Sequence, residues 1–153
     1  MTRIALATTV DAPRAAVYAF HRDTRNVARI SPPGTQVLSV EGDFPLELGG
    51  EIRIAIRILP LPMVQRWHMR VAELVEPSLV VDEMLSGPFA TWRHEHRFSP
   101  ADGDRTLLED VVTYTVPFGL PGRLVDALVL RHLLKLSFRL RHRRTAAVLG
   151  RRR

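Results

Sequence analysis

No helix separates the strands in the middle of this chain. Residues 36–40, 52–58, 64–74, 79–85, 91–98 and 106–116 each read as a strand, most of them by plain alternation of side-chain character. Between them stand only turn residues: Gly49-Gly50, Pro60-Leu61-Pro62, Glu76-Pro77-Ser78 and the run Ser99-Pro100-Ala101-Asp102-Gly103-Asp104. A parallel sheet needs a crossover of a dozen or more residues between neighbouring strands. A doubly wound fold is therefore excluded, and the strands must form an antiparallel sheet with helices on one face.

The two ends supply those helices. Residues 3–10 alternate and form a further strand. Asp11 is placed to cap a helix whose first turn contains Pro13. A second short helix covers residues 23–30 and is stopped by Ser31-Pro32-Pro33-Gly34. After the breakers Pro117 to Gly122, residues 123–149 hold no proline or glycine and are rich in leucine, as one long helix requires. Val125, Leu128, Val129, His132, Leu136 and Leu140 form a stripe at helical spacing that is expected to face the sheet. With no linker and no repeat, the chain is one α+β domain over residues 1–149, followed by a basic tail, residues 150–153.

The composition excludes several function classes. The chain has no cysteine, so disulfides, thiolate nucleophiles and Cys-ligated zinc are absent. No G-x-S-x-G nucleophile is present. Gly49-Gly50 is not followed by a helix N-terminus, so it is no phosphate loop. The net charge of +6 is local: nine basic residues and no acid lie in residues 131–153. This basic end has no base-reading motif and, Phe138 aside, no interleaved aromatics. It is expected to be solvated, with at most weak contact to an anionic surface and no specific nucleic acid. Removing residues 146–153 is accordingly expected to leave the thermal midpoint almost unchanged. The surplus of leucine on the last helix leaves open a dimer contact or a cavity entrance there. The N-terminus lacks the pattern of a signal peptide, which makes the cytoplasm the default location.

The chemistry concentrates on residues 91–116. Trp92, His94, His96 and Phe98 share one strand face; Arg93, Glu95 and Arg97 share the other. If the hairpin loop is residues 102–104, His96 faces Asp110, His94 faces Val112 and Trp92 faces Tyr114; a loop of 101–103 pairs His94 with Asp110 instead. Either way Trp92, both histidines, Asp110 and Tyr114 fall on one inward patch. A buried carboxylate needs hydrogen-bonding partners, and an imidazole is the obvious one. The cluster can be a structural strut, the polar anchor of an apolar pocket, or a general acid–base pair. Two histidines at i and i+2 with Asp110 could also converge on a metal. Nothing in the sequence supplies a further ligand, so neither metal nor cofactor is expected. Trp67, Met69 and Phe89 complete the expected apolar wall, with Leu128 and His132 contributed by the last helix. His68 alternates away from Trp67 and belongs to the surface.

The run Gly87-Pro88-Phe89, then Trp92-Arg93-His94-Glu95-His96-Arg97-Phe98, then Asp110 to Gly119 resembles the START-like, or SRPBCC, superfamily. The order of elements over residues 3–145 is similar too. Within it the chain looks like small stand-alone bacterial members labelled cell-division inhibitors or polyketide cyclase/dehydrases. The resemblance implies a helix-grip fold: six or seven curved antiparallel strands around the long C-terminal helix, with two short helices after strand 1. It also implies a cavity between sheet and helix, and hence a small apolar or amphipathic ligand. A cyclase, dehydratase or hydrolase acting on a polyketide-like substrate, and an interaction module using the basic helix, are the alternatives.

Overall fold

The computed structural model describes residues 1–150; Arg151, Arg152 and Arg153, most of the expected basic tail, lie outside them. Strand β1 (Thr2–Val10) leads into α1 (Arg14–His21), a 3-10 turn (Thr24–Asn26) and the one-turn helix α2 (Val27–Ile30). Six strands follow: β2 (Thr35–Gly42), β3 (Glu51–Ile58), β4 (Val64–Val75), β5 (Leu79–Ser86), β6 (Thr91–Ala101) and β7 (Arg105–Thr115). All neighbours are antiparallel, in the order β1-β7-β6-β5-β4-β3-β2. The meander β2 to β7 thus receives β1 beside its last strand, and α1 and α2 carry the chain from one edge of the sheet to the other.

Three register shifts bend this sheet. Leu38 on β2, Ala72 on β4 and Leu85 on β5 are each skipped by the neighbouring strand, and an extra residue of this kind bends a strand and tightens its twist. The convex face is charged: Arg93 binds Glu83 at 2.6 Å, and Arg97 binds Glu95 at 2.6 Å. The concave face carries the core. One cluster joins Ile4, Ile52, Met69, Trp92, Val112, Tyr114 and Phe138, and a second joins Val10, Val17, Tyr18, Val80, Phe98 and Leu108.

The β6–β7 loop is residues 102–104, because Ala101 pairs with Arg105. Gly103 (φ 69°) and Asp104 (φ 57°) make the turn in the left-handed region. The first of the two registers is therefore the real one: Trp92↔Tyr114, His94↔Val112, His96↔Asp110.

Two helix expectations need correction. Asp11 does not cap α1. The capping position is Pro13, with no side-chain cap, and Asp11 lies two residues too early. The terminal helix starts at Gly119, four residues before the sequence suggests. Helix α3 (Gly119–Val125) passes through a π turn (Asp126–Leu130) into α4 (Arg131–Leu149) without interruption. Pro121 is tolerated because the first turn needs no N–H donor from it. Gly122 is required, because a Cβ there would meet the Pro117 carbonyl oxygen at 1.9 Å.

The π turn is anchored by Asp126, which is buried and accepts hydrogen bonds from Thr2 Oγ1 (2.8 Å), Tyr114 Oη (2.5 Å) and Arg131 Nη2 (3.0 Å). The inward residues beyond it are Leu130, Leu134, Phe138, His142 and Thr145. The expected stripe is therefore wrong: Val125, Leu128, Val129, His132 and Leu136 are exposed. Leucine and valine occupy every side of residues 124–136, so the period alone could not choose a face. Together with Phe118, Leu120, Leu124 and Leu133, the exposed residues make an apolar outer surface. Among the described residues, no helix is long and apolar enough to cross a membrane.

The end of α4 is docked. Leu149 packs against the second core cluster, Thr145 is buried, and Arg144 Nη1 donates to the Ser31 carbonyl at 2.6 Å. The expectation for residues 146–153 changes accordingly. Deleting residues 151–153 should leave the thermal midpoint within about 1–2 °C, whereas deleting 146–153 should lower it by about 3–6 °C, from roughly 1.5 kcal/mol of lost burial. Differential scanning calorimetry of the two truncations checks this; equal midpoints would mean that Leu149 contributes nothing.

Candidate functional site

The concave face, α1, α2 and the inward side of α4 enclose a cavity of about 390 Å³. Its wall is mostly apolar: Ile52, Ile54 and Ile56 from β3, Trp67 and Met69 from β4, Phe89 and Trp92, and Leu130, Leu134 and Phe138 from the terminal helix. Alternation on β3 makes this wall, because Ile52, Ile54 and Ile56 share one face and Arg53 and Arg57 point away. Trp67 and Trp92 meet edge to face at 5.1 Å, and Phe89 lies 4.8 Å from Trp92 and 5.3 Å from Tyr114. Trp67 Nε1 is buried and has no hydrogen-bond partner among the described residues.

One end of the cavity is polar. Asp82 on β5, His94 and His96 on β6, His21 on α1 and Arg141 on α4 all line it. Behind them lies Asp110, buried on β7. Its Oδ1 accepts from His94 Nε2 (3.0 Å) and His96 Nδ1 (2.7 Å), and its Oδ2 accepts from His142 Nε2 (2.7 Å). An ionised carboxylate can only accept, so each of these ring nitrogens carries a proton. Three imidazole donors thus neutralise the cost of a buried charge that would otherwise be prohibitive.

The groups titrate far apart. Burial works against the Asp110 carboxylate, but the charge on His96, the neighbouring His94 and the hydrogen bonds from His142 and His94 together outweigh it and hold the pKa well below the usual range. Burial also opposes the His96 imidazolium; Asp110 and Asp82 overcome it and raise its pKa to about 9. The neighbours move the other way. Burial, reinforced by the charge on His96, lowers His94 to about 4 and His21 to about 3. His96 is the cation of the cluster, and His94 and His21 are neutral. Arg141 makes no hydrogen bond or ion pair with a described residue and stacks on the Phe138 ring at 5.2 Å. Burial lowers its pKa from the ordinary arginine value.

Of the ten residues the sequence points to, Trp67, Met69, Phe89, Trp92, His94 and His96 line the cavity. Asp110 and Tyr114 are buried behind the wall instead. Asp110 is fully engaged by three histidines, and the Tyr114 hydroxyl is bonded to Asp126, which together with burial raises its pKa. Tyr114 therefore does not join the histidine cluster. Leu128 and His132 are exposed on the far side of the helix and do not line the cavity, for the reason of helix phase given above. His68 sits at the surface side, bonded to Glu51 at 2.6 Å. Missed by the sequence reading were Asp82, His21, Arg141 and His142. Val80, Asp82 and Met84 alternate on one strand face, so Asp82 carried a readable signal; His142 is one turn beyond Phe138 on the true inward stripe.

The profile of the family described as polyketide cyclase / dehydrase and lipid transport matches residues 10–136, most of the chain. The chain belongs to this family. Its START-like fold is shared by solved structures of low sequence identity. A Chromobacterium violaceum protein superposes with a TM-score of 0.79 at 17% identity, over 99% of this chain and 100% of the other. Norcoclaurine synthase from Thalictrum flavum gives 0.69 at 11% identity, over 96% and 85%. A START superfamily protein from Mycobacterium smegmatis gives 0.65 at 19%, over 92% and 95%. No curated protein matches the chain.

Proposed function

We propose that the protein binds one small apolar or amphipathic molecule in the cavity between the sheet and α4. The observation that carries this reading is the cavity itself: about 390 Å³, walled by isoleucines and aromatic rings, with one polar end. Ligand sites in general are of this kind, apolar with a few placed polar groups. The unpartnered Trp67 N–H supports it further, since a buried donor without an acceptor is a cost that a guest carbonyl or hydroxyl would relieve. The polar anchor in this reading is His94, His96 and Trp67. Asp110 is the strut that fixes the two imidazoles.

An apolar fluorescent dye tests the proposal. Bound dye should quench Trp67 and Trp92, and Ile54→Trp, which fills the cavity from β3, should weaken dye binding at least about tenfold, the scale of 1.4 kcal/mol. The same variant should keep its thermal midpoint within a few degrees. Equal dye affinity in both proteins would place the dye elsewhere and remove the support.

A second reading, acid–base catalysis on a polyketide-like substrate, is favoured by one observation. His96 and His94 lie side by side with pKa values pushed apart to about 9 and about 4, the arrangement that assigns an acid and a base. In that case turnover is lost with His96→Ala and kept with Trp67→Phe.

A further inference from the structure

We propose that Asp82, His94 and His96 bind one divalent transition-metal ion at the polar end of the cavity, with Asp110 holding both imidazoles in place. This goes beyond the binding of an apolar guest, which does not require it. A carboxylate oxygen of Asp82 and one ring nitrogen of each histidine lie within 4.8 Å of one another. His96 Nε2 stands 3.5 Å from Asp82 Oδ2. That separation is long for a hydrogen bond. It is close to the edge of a tetrahedron, about 3.4 Å, built on metal–ligand bonds of about 2.0–2.1 Å.

The free ring atoms are the right ones. Asp110 takes His94 Nε2 and His96 Nδ1, so the ring nitrogens left for an ion are His94 Nδ1 and His96 Nε2. A carboxylate behind each metal-bound imidazole is the usual second layer of such sites, fixing tautomer and ring orientation. Asp82 Oδ1 is buried without a partner among the described residues, and the ion would give it one. On binding, the second proton of the His96 imidazolium leaves Nε2 to solvent, and the lone pair it frees goes to the ion. The charges are Asp82 and Asp110 against the ion, with Arg141 the opposing cation on the same wall. Asp82, His94 and His96 all line the cavity, so the fourth coordination position opens into it, toward water or a guest oxygen. Two imidazoles and one carboxylate, without a thiolate, suit Zn²⁺, Co²⁺ or Fe²⁺ better than Mg²⁺ or Ca²⁺.

The test titrates metal-free full-length protein with Zn²⁺ by calorimetry and with Co²⁺ by visible absorption. Expected are one ion per chain, Co²⁺ bands of a four-coordinate site, and a thermal midpoint that rises with Zn²⁺. Asp82→Asn and His94→Ala should each weaken Zn²⁺ about 100-fold or more, and Asp110→Asn about 10–100-fold. His132→Ala, at the exposed histidine, should change nothing. Far-UV circular dichroism and a cooperative thermal transition show that His94→Ala and Asp82→Asn are folded, and either variant suffices alone. Absence of Zn²⁺ binding, or binding that survives both variants, overturns the site. If dye still binds while Zn²⁺ does not, the metal site falls and the cavity reading stands.

Discussion

Asp110→Ala should lower stability by about 3–5 kcal/mol, the cost of removing one partner from a buried charge network. At this chain length that is a fall in thermal midpoint of roughly 6–20 °C. The reason is specific. The substitution removes the acceptor of three imidazole N–H groups at once, on β6 and on α4, and leaves the His96 cation without its main counter-charge. Asp110 also ties the terminal helix to the sheet through His142, so its loss loosens the element that closes the cavity. Urea unfolding should show a lower midpoint with an unchanged slope, because the surface exposed on unfolding is the same. A change under about 1 kcal/mol would mean that the histidines find other partners and that the cluster is not a strut.

Stability should peak near neutral pH and fall steeply in mild acid. His94 is lowered to about 4 and His21 to about 3 in the folded protein, against about 6.5 in an unfolded chain. Below about pH 6.5 the unfolded chain takes up protons that these two folded groups refuse, so stability falls with pH. His21 is partly exposed and contributes less than a full proton. The slope is then about 1.4 to 2.7 kcal/mol per pH unit, one to two protons. His96 has the opposite sign. Raised to about 9, it contributes stability fully below about pH 6.5, and this is lost as pH rises through about 9. Asp110, held below its ordinary value, adds a loss as pH falls below about 4. From about pH 6 to pH 4 this removes roughly 3–5 kcal/mol, a large part of a total stability of about 5–15 kcal/mol. Urea midpoints of metal-free protein from pH 4 to pH 9 check the shape, and a flat profile from pH 5 to pH 8 would contradict it.

The architecture was legible because alternation and turn chemistry are local. Residues 36–116 could hardly have become anything but a meander, and the Asp102-Gly103 turn limited the β6–β7 register to two choices. The inward placement of Trp92, His94, His96 and Asp110 followed from the charged partners on the opposite face. What failed was helix phase. Residues 124–136 are apolar all round, so Leu128 and His132 were assigned to the wrong side, and a π turn anchored by a carboxylate from Asp126 to Thr2 and Tyr114 has no local signature. The face of Asp82 was readable from alternation on β5, but the meeting of the rest of the polar end was not. Asp82, His21, Arg141 and His142 come from three further elements, and only the folded sheet brings them beside β6.

Native mass spectrometry of the protein purified from its own cells tests most directly whether the cavity holds a guest. The expected spectrum has one small-molecule adduct per chain, removed on denaturation and absent from Ile54→Trp prepared in the same way. The bare chain mass in the unmodified protein, or the same adduct in both proteins, would contradict binding in the cavity.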